Sequence, residues 1–161
     1  MRKKQGFTLI ELLIVIGIIS ILAAIIYVAV DPARRFAEAR NAERWSSTNS
    51  ILNAILKYTV DNRGSLPAPL AAATAGTYYT LGTSGSGCDS GCTAQTTAAA
   101  CLDLTSSLVD TYIASIPFDP SSGSAAKTDY YIRKTANGRI AVGACDPEAV
   151  GGSTPTISVS R

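Results

Sequence analysis

The sequence contains no histidine. Triads built on imidazole and metal centres held by it are thereby excluded, although carboxylate and Ser–Lys chemistry are not. Charge is scarce as well: 14 Lys and Arg stand against 12 Asp and Glu in 161 residues. A balance so close to neutral gives no support to a nucleic-acid-binding role, and no specific nucleic-acid site is seen. Phosphate cradles are missing too. Gly85-Ser86-Gly87 and Gly151-Gly152-Ser153 join no strand to a helix beside a basic partner, so they read as linkers. No spacing of Ser, Lys or carboxylates suggests a paired nucleophile, and on these grounds no enzyme is expected.

What the chain does have is one long apolar run. From Phe7 to Val30 only Thr8, Glu11, Gly17 and Ser20 interrupt it. As a helix at about 1.5 Å per residue it would reach roughly 36 Å, enough to span a hydrocarbon core of about 30 Å. Arg2, Lys3 and Lys4 precede the run, as in a secretory signal peptide, but such a peptide is cut at small residues after its apolar region. Here the small residue, Gly6, comes before it, so a cut there would shed a basic hexapeptide and keep the helix. Glu11 is the second oddity. A carboxylate in a span costs about 2.5–3.5 kcal/mol near the centre and less near an end unless it finds a partner. By itself it reads either as an edge residue reaching for water or as a group awaiting that partner.

Taken together, the basic residues, Gly6-Phe7-Thr8-Leu9-Ile10-Glu11 and the run behind them closely resemble the class III signal of type IV pilins and type II secretion pseudopilins. The resemblance implies cleavage between Gly6 and Phe7 by a prepilin peptidase and N-methylation of the new Phe7 amine. It also implies that Glu11 serves assembly into a homo-oligomeric filament built by a dedicated machinery. Loss of Arg2, Lys3 and Lys4 would leave 11 basic against 12 acidic side chains. The positive-inside rule is indecisive, because Arg34, Arg35, Arg40 and Arg44 follow the span closely; the resemblance and the cysteines favour an outward C-terminus.

Asp31-Pro32 ends the run, with Asp as an N-cap and Pro in a first turn. The resemblance favours one long helix, with a kink allowed at Pro32. Trp45, Ile51, Leu52, Ile55, Leu56 and Thr59 recur at three- and four-residue spacings and predict an apolar helix face. Arg34 with Glu38 and Arg40 with Glu43 predict a solvated or subunit-facing surface. Asn62, Gly64 and Pro67 supply the stop, and Tyr58 to Pro67 resembles the helix exit of pilin-like proteins. Residues 68–100 read as a surface connection with a strand fragment at 77–81. Leu104, Leu108, Tyr112 and Ile116, four apart, predict a short helix capped by Asp103 or Thr105 and ended before Pro117. Strands at 130–134 and 139–144 flank Asn137-Gly138, the preferred type I′ pair. A two-residue turn there would set Cys145 across from Tyr130 and Val142 across from Arg133. A final strand is expected at 156–160.

Cys88, Cys92, Cys101 and Cys145 all lie beyond the span. An even count in a small exported domain favours two disulfides. Zinc is the rival, but the spacing lacks paired knuckles; free thiols are the third option. Of three connectivities, Cys88–Cys92 with Cys101–Cys145 is the first choice. Ile116-Pro117-Phe118-Asp119-Pro120 resembles the Pro-x-Asp-Pro stretch of major pseudopilins and of many small pilin-like proteins; the resemblance to major pseudopilins implies a Ca²⁺ site on the oxygens of Asp119, Ser121, Ser122 and Asp129. The Trp-Gly-Asn-Pro-Tyr continuation of those proteins is absent here, and Asp119 with Ser122 read equally as turn caps.

The expected fold is α+β: a pilin-like lollipop whose long N-terminal helix, membrane-spanning in its first half, packs against a small antiparallel sheet. Its parts are a leader (1–6), a transmembrane and filament-core helix (7–30), an amphipathic continuation (31–63) and a globular head (64–161). The expected function is that of a structural subunit of a type IV pilus-like surface filament, made as a single-pass cytoplasmic-membrane protein and displayed outside the cell. A type II secretion pseudopilin is the alternative, and a membrane-tethered binding or enzymatic domain is the reading from another class.

Overall fold

The structure, a computed structural model, describes residues 6–161. The leader residues Arg2, Lys3 and Lys4 lie outside the described residues. The chain divides into two compact units, Met1–Phe36 and Ala37–Arg161.

The first unit is built on helix α1, Leu9–Val30. Its 22 residues would reach about 33 Å, long and apolar enough to cross a membrane. The helix is apolar on every side, and none of its residues is buried within the chain. Ser20, polar inside the run, spends its hydroxyl on the Ile16 carbonyl at 2.7 Å, as a hydroxyl in an apolar helix must. The chain is helical from Leu9 to Asp61 except at Asp31, where α1 stops and α2, Pro32–Asp61, begins. The residue before a proline is pushed out of the right-handed region, and Asp31 adopts φ 43°. Its carbonyl then accepts from Arg35 N–H at 3.2 Å, so the interruption is a single residue.

In the second unit, residues 37–61 of α2 are followed by α3 (Ala68–Ala72), β1 (Tyr78–Thr80), α4 (Thr105–Leu108), β2 (Tyr130–Lys134), β3 (Ile140–Ala144) and β4 (Ser158–Ser160). The strands form one antiparallel sheet in the order β1-β2-β3-β4. Ile51, Leu52 and Ile55 of α2 join Tyr130, Ile132, Ile140 and Val142 of the sheet in a single core. One long N-terminal helical stretch with a small antiparallel sheet is the α+β pilin-like arrangement expected.

Several local expectations are corrected. The buried positions of α2 are Ala37, Asn41, Arg44, Thr48, Ile51, Leu52, Ala54 and Ile55, so the expected Ile51, Leu52 and Ile55 hold; Trp45 is 40% exposed and lies off that face. The four-residue repeat after Cys101 forms a helix only over Thr105–Leu108, although the Asp103 carboxylate does accept from Thr105 N–H at 2.8 Å. Val109 is extended and ends the helix, with Asp110 following at φ 71°, while Leu104 and Leu108 are buried as the spacing implied. Helix α3 was not anticipated in the Ala-rich connection.

The hairpin is one residue out of the expected register. Tyr130 pairs with Ala144 and Arg133 with Ala141. Gly138 N–H donates to the Thr135 carbonyl at 3.0 Å and Thr135 N–H to the Arg139 carbonyl at 2.9 Å. Only Gly138 has positive φ, 79°. This is a three-residue loop with its glycine in the left-handed position, the alternative to a type I′ turn. A slip of one exchanges inward and outward faces, and this register puts Tyr130 and Ile132 into the core beside Val142 and Ala144.

The cysteines form two disulfides, but not the expected pair. Cys88 is joined to Cys101 and Cys92 to Cys145, with Cα separations of 5.3 and 4.4 Å. Backbone contacts fix the choice: Cys88 N–H donates to the Ala99 carbonyl, and Ala94 N–H to the Cys145 carbonyl. The first loop is therefore closed across the 88–101 excursion, not within the five residues from Cys88 to Cys92.

Candidate functional site

The first candidate site is the entry to α1. Thr8 is its N-cap in a complete capping box. The Thr8 hydroxyl accepts from Glu11 N–H at 3.3 Å, while Glu11 Oε2 accepts from Thr8 N–H at 2.8 Å and from the Thr8 hydroxyl at 2.7 Å. An N-cap threonine with glutamate three positions on satisfies two otherwise orphaned N–H groups and places negative charge at the positive end of the helix dipole. Both contacts to the carboxylate fall on Oε2, which leaves Oε1 open. Gly6 and Phe7 precede the cap in non-helical backbone. Phe7 is 89% exposed, and a Cβ added at Gly6 would meet nothing within 4 Å. The chain's own fold therefore makes no demand for glycine at position 6.

The second candidate is a buried polar cluster where α2 meets two loops. Arg44 and Asp119 are fully buried. Arg44 Nε donates to Asp119 Oδ2 at 2.6 Å and Nη2 to Oδ1 at 2.9 Å. Further Arg44 bonds reach Asn41, Ser121 and Glu148, and Arg40 clamps Glu148 in place of the anticipated Glu43. Burial by itself pushes the Asp119 carboxyl up, but the Arg44 guanidinium and the Ser121 donors more than reverse this and hold it below the usual carboxylate range. Glu148 is lowered by its bonds from Arg40 and Arg44. Asp129 moves the other way, raised by burial and by Asp146 and Asp119, with a Ser122 hydrogen bond opposing.

This geometry tests the calcium donor set. Asp119 Oδ1 also accepts from Ser121 N–H at 2.9 Å, the Ser121 hydroxyl at 2.8 Å and Ser122 N–H at 3.3 Å. A cation would have to displace a guanidinium from both carboxylate oxygens, and the donor set does not fit it. Among the described residues no group of three His, Cys, Asp or Glu could hold a metal ion.

One comparison with known proteins decides the reading of the α1 entry. Residues 1–27 match the family model described as the prokaryotic N-terminal methylation motif. This segment is the class III signal peptide of type IV pilins and pseudopilins. No curated protein and no solved structure matches the chain. The class III signal thus covers the leader, the capping box and most of α1, and ends short of the head.

Arg44, Asn41 and Glu148 were not singled out from the sequence. The one signal for Arg44 and Asn41 is that the 3-4 spacing of the core stripe continues upstream of Ile51 through Thr48, Arg44, Asn41 and Ala37; Glu148 had none.

Proposed function

We propose that this chain is a structural subunit of a type IV pilus-like filament, cut between Gly6 and Phe7, methylated on the Phe7 amine and assembled through α1. The observation that carries this reading is the class III signal at residues 1–27 on a helix apolar on every side. A helix of that kind needs apolar surroundings around its whole circumference. A bilayer supplies them to the free subunit, and the α1 helices of other copies supply them in a filament. The prepilin peptidase, the assembly machinery and neighbouring copies are the partners this implies. Membrane insertion followed by display outside the cell is the localisation.

The need for glycine at position 6 is assigned to the peptidase, because nothing in the fold crowds that position. Gly6→Leu should leave the full-length precursor in the membrane, whereas the wild-type chain should yield an intact mass beginning at methylated Phe7. A wild-type chain retaining Met1, absent from sheared surface material, would return it to a tethered domain.

A further inference from the structure

The head holds a cavity of about 230 Å³ lined in part by Thr93 and Ala144, the chain neighbours of the Cys92–Cys145 disulfide. Residues 93–95 and 154–157 wall it, together with Ala144, Pro147 and Tyr131. Two parts of this wall are pinned. The Thr93 hydroxyl donates to the Cys145 carbonyl at 3.0 Å and lies 2.8 Å from Asp146 Oδ1. Just past Pro147, Glu148 is locked to α2: Asn41 Nδ2 donates to its carbonyl at 2.8 Å, and its N–H donates to Asn41 Oδ1 at 3.0 Å. Tyr131 is pinned as well. Its ring lies over Gly143, where any Cβ would collide with it. The backbone there has no positive φ, so the glycine serves close approach alone.

We infer that this cavity binds one neutral sugar ring, free or at the end of a glycan. No lining residue is charged, and the nearby Asp146 carboxylate outside the lining is engaged by Thr93, so an ionic ligand would lose hydration without gaining a partner in the cavity. A purely apolar ligand would make no use of the polar side chains of Gln95, Thr154 and Thr156 among the lining. Tyr131, Pro147 and Pro155 supply apolar faces beside those polar groups. A pyranose has the matching character, with a C–H face and a rim of hydroxyls. The volume lies below the roughly 300–1,000 Å³ of drug-sized sites and equals about seven or eight waters at ~30 Å³ each. It suits one ring rather than an oligomer. Walls fixed in advance reduce the ordering cost of binding. The inference rests on the head alone and stands apart from the filament reading.

The test uses the full chain in lipid nanodiscs, since alkyl glycoside detergents would themselves present a sugar. Saturation-transfer NMR is run with glucose, galactose, mannose, N-acetylglucosamine and N-acetylgalactosamine, and a glycan array reports terminal residues. Saturable transfer from a free neutral sugar, with a Kd in about the millimolar range, is expected; binding only to glycans ending in a neutral sugar supports the same site with the glycan as source. Thr156→Trp, placed on the exposed rim, should weaken binding at least tenfold with both disulfides and the far-UV CD unchanged. Gln95→Leu, a smaller change, should weaken it several-fold. Silence from every sugar and array spot, binding untouched by both variants, or a preference for sialic acid would each overturn the inference.

Discussion

Arg44 carries the largest single-residue consequence. With the guanidinium removed, the Asp119 carboxylate would sit fully buried and unpaired, so Arg44→Ala should destabilise the head by about 3–5 kcal/mol. Replacing both partners with apolar residues, Arg44→Met with Asp119→Leu, should be close to neutral, since ion pair and desolvation cost disappear together. Thermal unfolding of the full chain in nanodiscs, followed by the lone tryptophan, Trp45, separates these outcomes. The pH dependence follows from the depressed carboxyls of Asp119 and Glu148. Their folded pKa values lie below the unfolded ones of about 3.9 and 4.3, so the unfolded state binds more protons in the window between. Their stabilisation is complete above that window and is lost as pH falls through the folded values. Asp129 acts with opposite sign, because its raised carboxyl takes up a proton in the folded state first and so favours folding as pH drops. Melting temperature should therefore fall steeply only below about pH 4, and less steeply in the Met–Leu variant. The pairing itself was not legible in the sequence: Arg44 and Asp119 are 75 residues apart, and a hydrophobic pattern cannot register a charge whose partner comes from another element.

Among the elements, α1 was the most legible, because its length, composition and cap lie within one short stretch. The capping box adds a distinction that the sequence reading lacked. Glu11 has two candidate roles, helix cap and ionic partner for the Phe7 amine of a neighbouring subunit, and substitutions can part them. Glu11→Gln keeps a side chain suited to the capping box but removes the charge, whereas Glu11→Ala removes both. If pairing fixes the axial register, both variants should insert and be cut, and both should give few sheared filaments. Wild-type filament yield from Glu11→Gln would leave only the cap. In the hairpin, the sequence indicated a turn at Asn137-Gly138 but not its type. The deciding bonds come from Thr135, two positions before the recognised pair. Gly138, at φ 79°, carries the left-handed residue, so Gly138→Ala should cost about 1–2 kcal/mol in the same unfolding assay, while Asn137→Ala, at ordinary φ, should cost less.

For the molecule as a whole, cysteine parity foretold two disulfides but could not choose among three pairings, because the strand and loop contacts that align Cys88 with Cys101 are long-range. The observed pairs close loops with sequence separations of 13 and 53, worth roughly 3 and 4 kcal/mol in chain-entropy terms. The two loops also overlap, since Cys92 falls inside the first and Cys101 inside the second. Under tension the second bridge alone decides how far this part of the head can stretch, and the first adds nothing to it. A pull along the chain from Cys88 to Cys145 travels only as far as Cys92 and then crosses the second bridge, bypassing its 53-residue span. At about 3.3–3.6 Å per extended residue, roughly 175–190 Å of contour is withheld from the load. A loaded subunit whose sheet gives way would lengthen little there. Force–extension curves of the oxidised chain should lack that length, and reduction before pulling should release it.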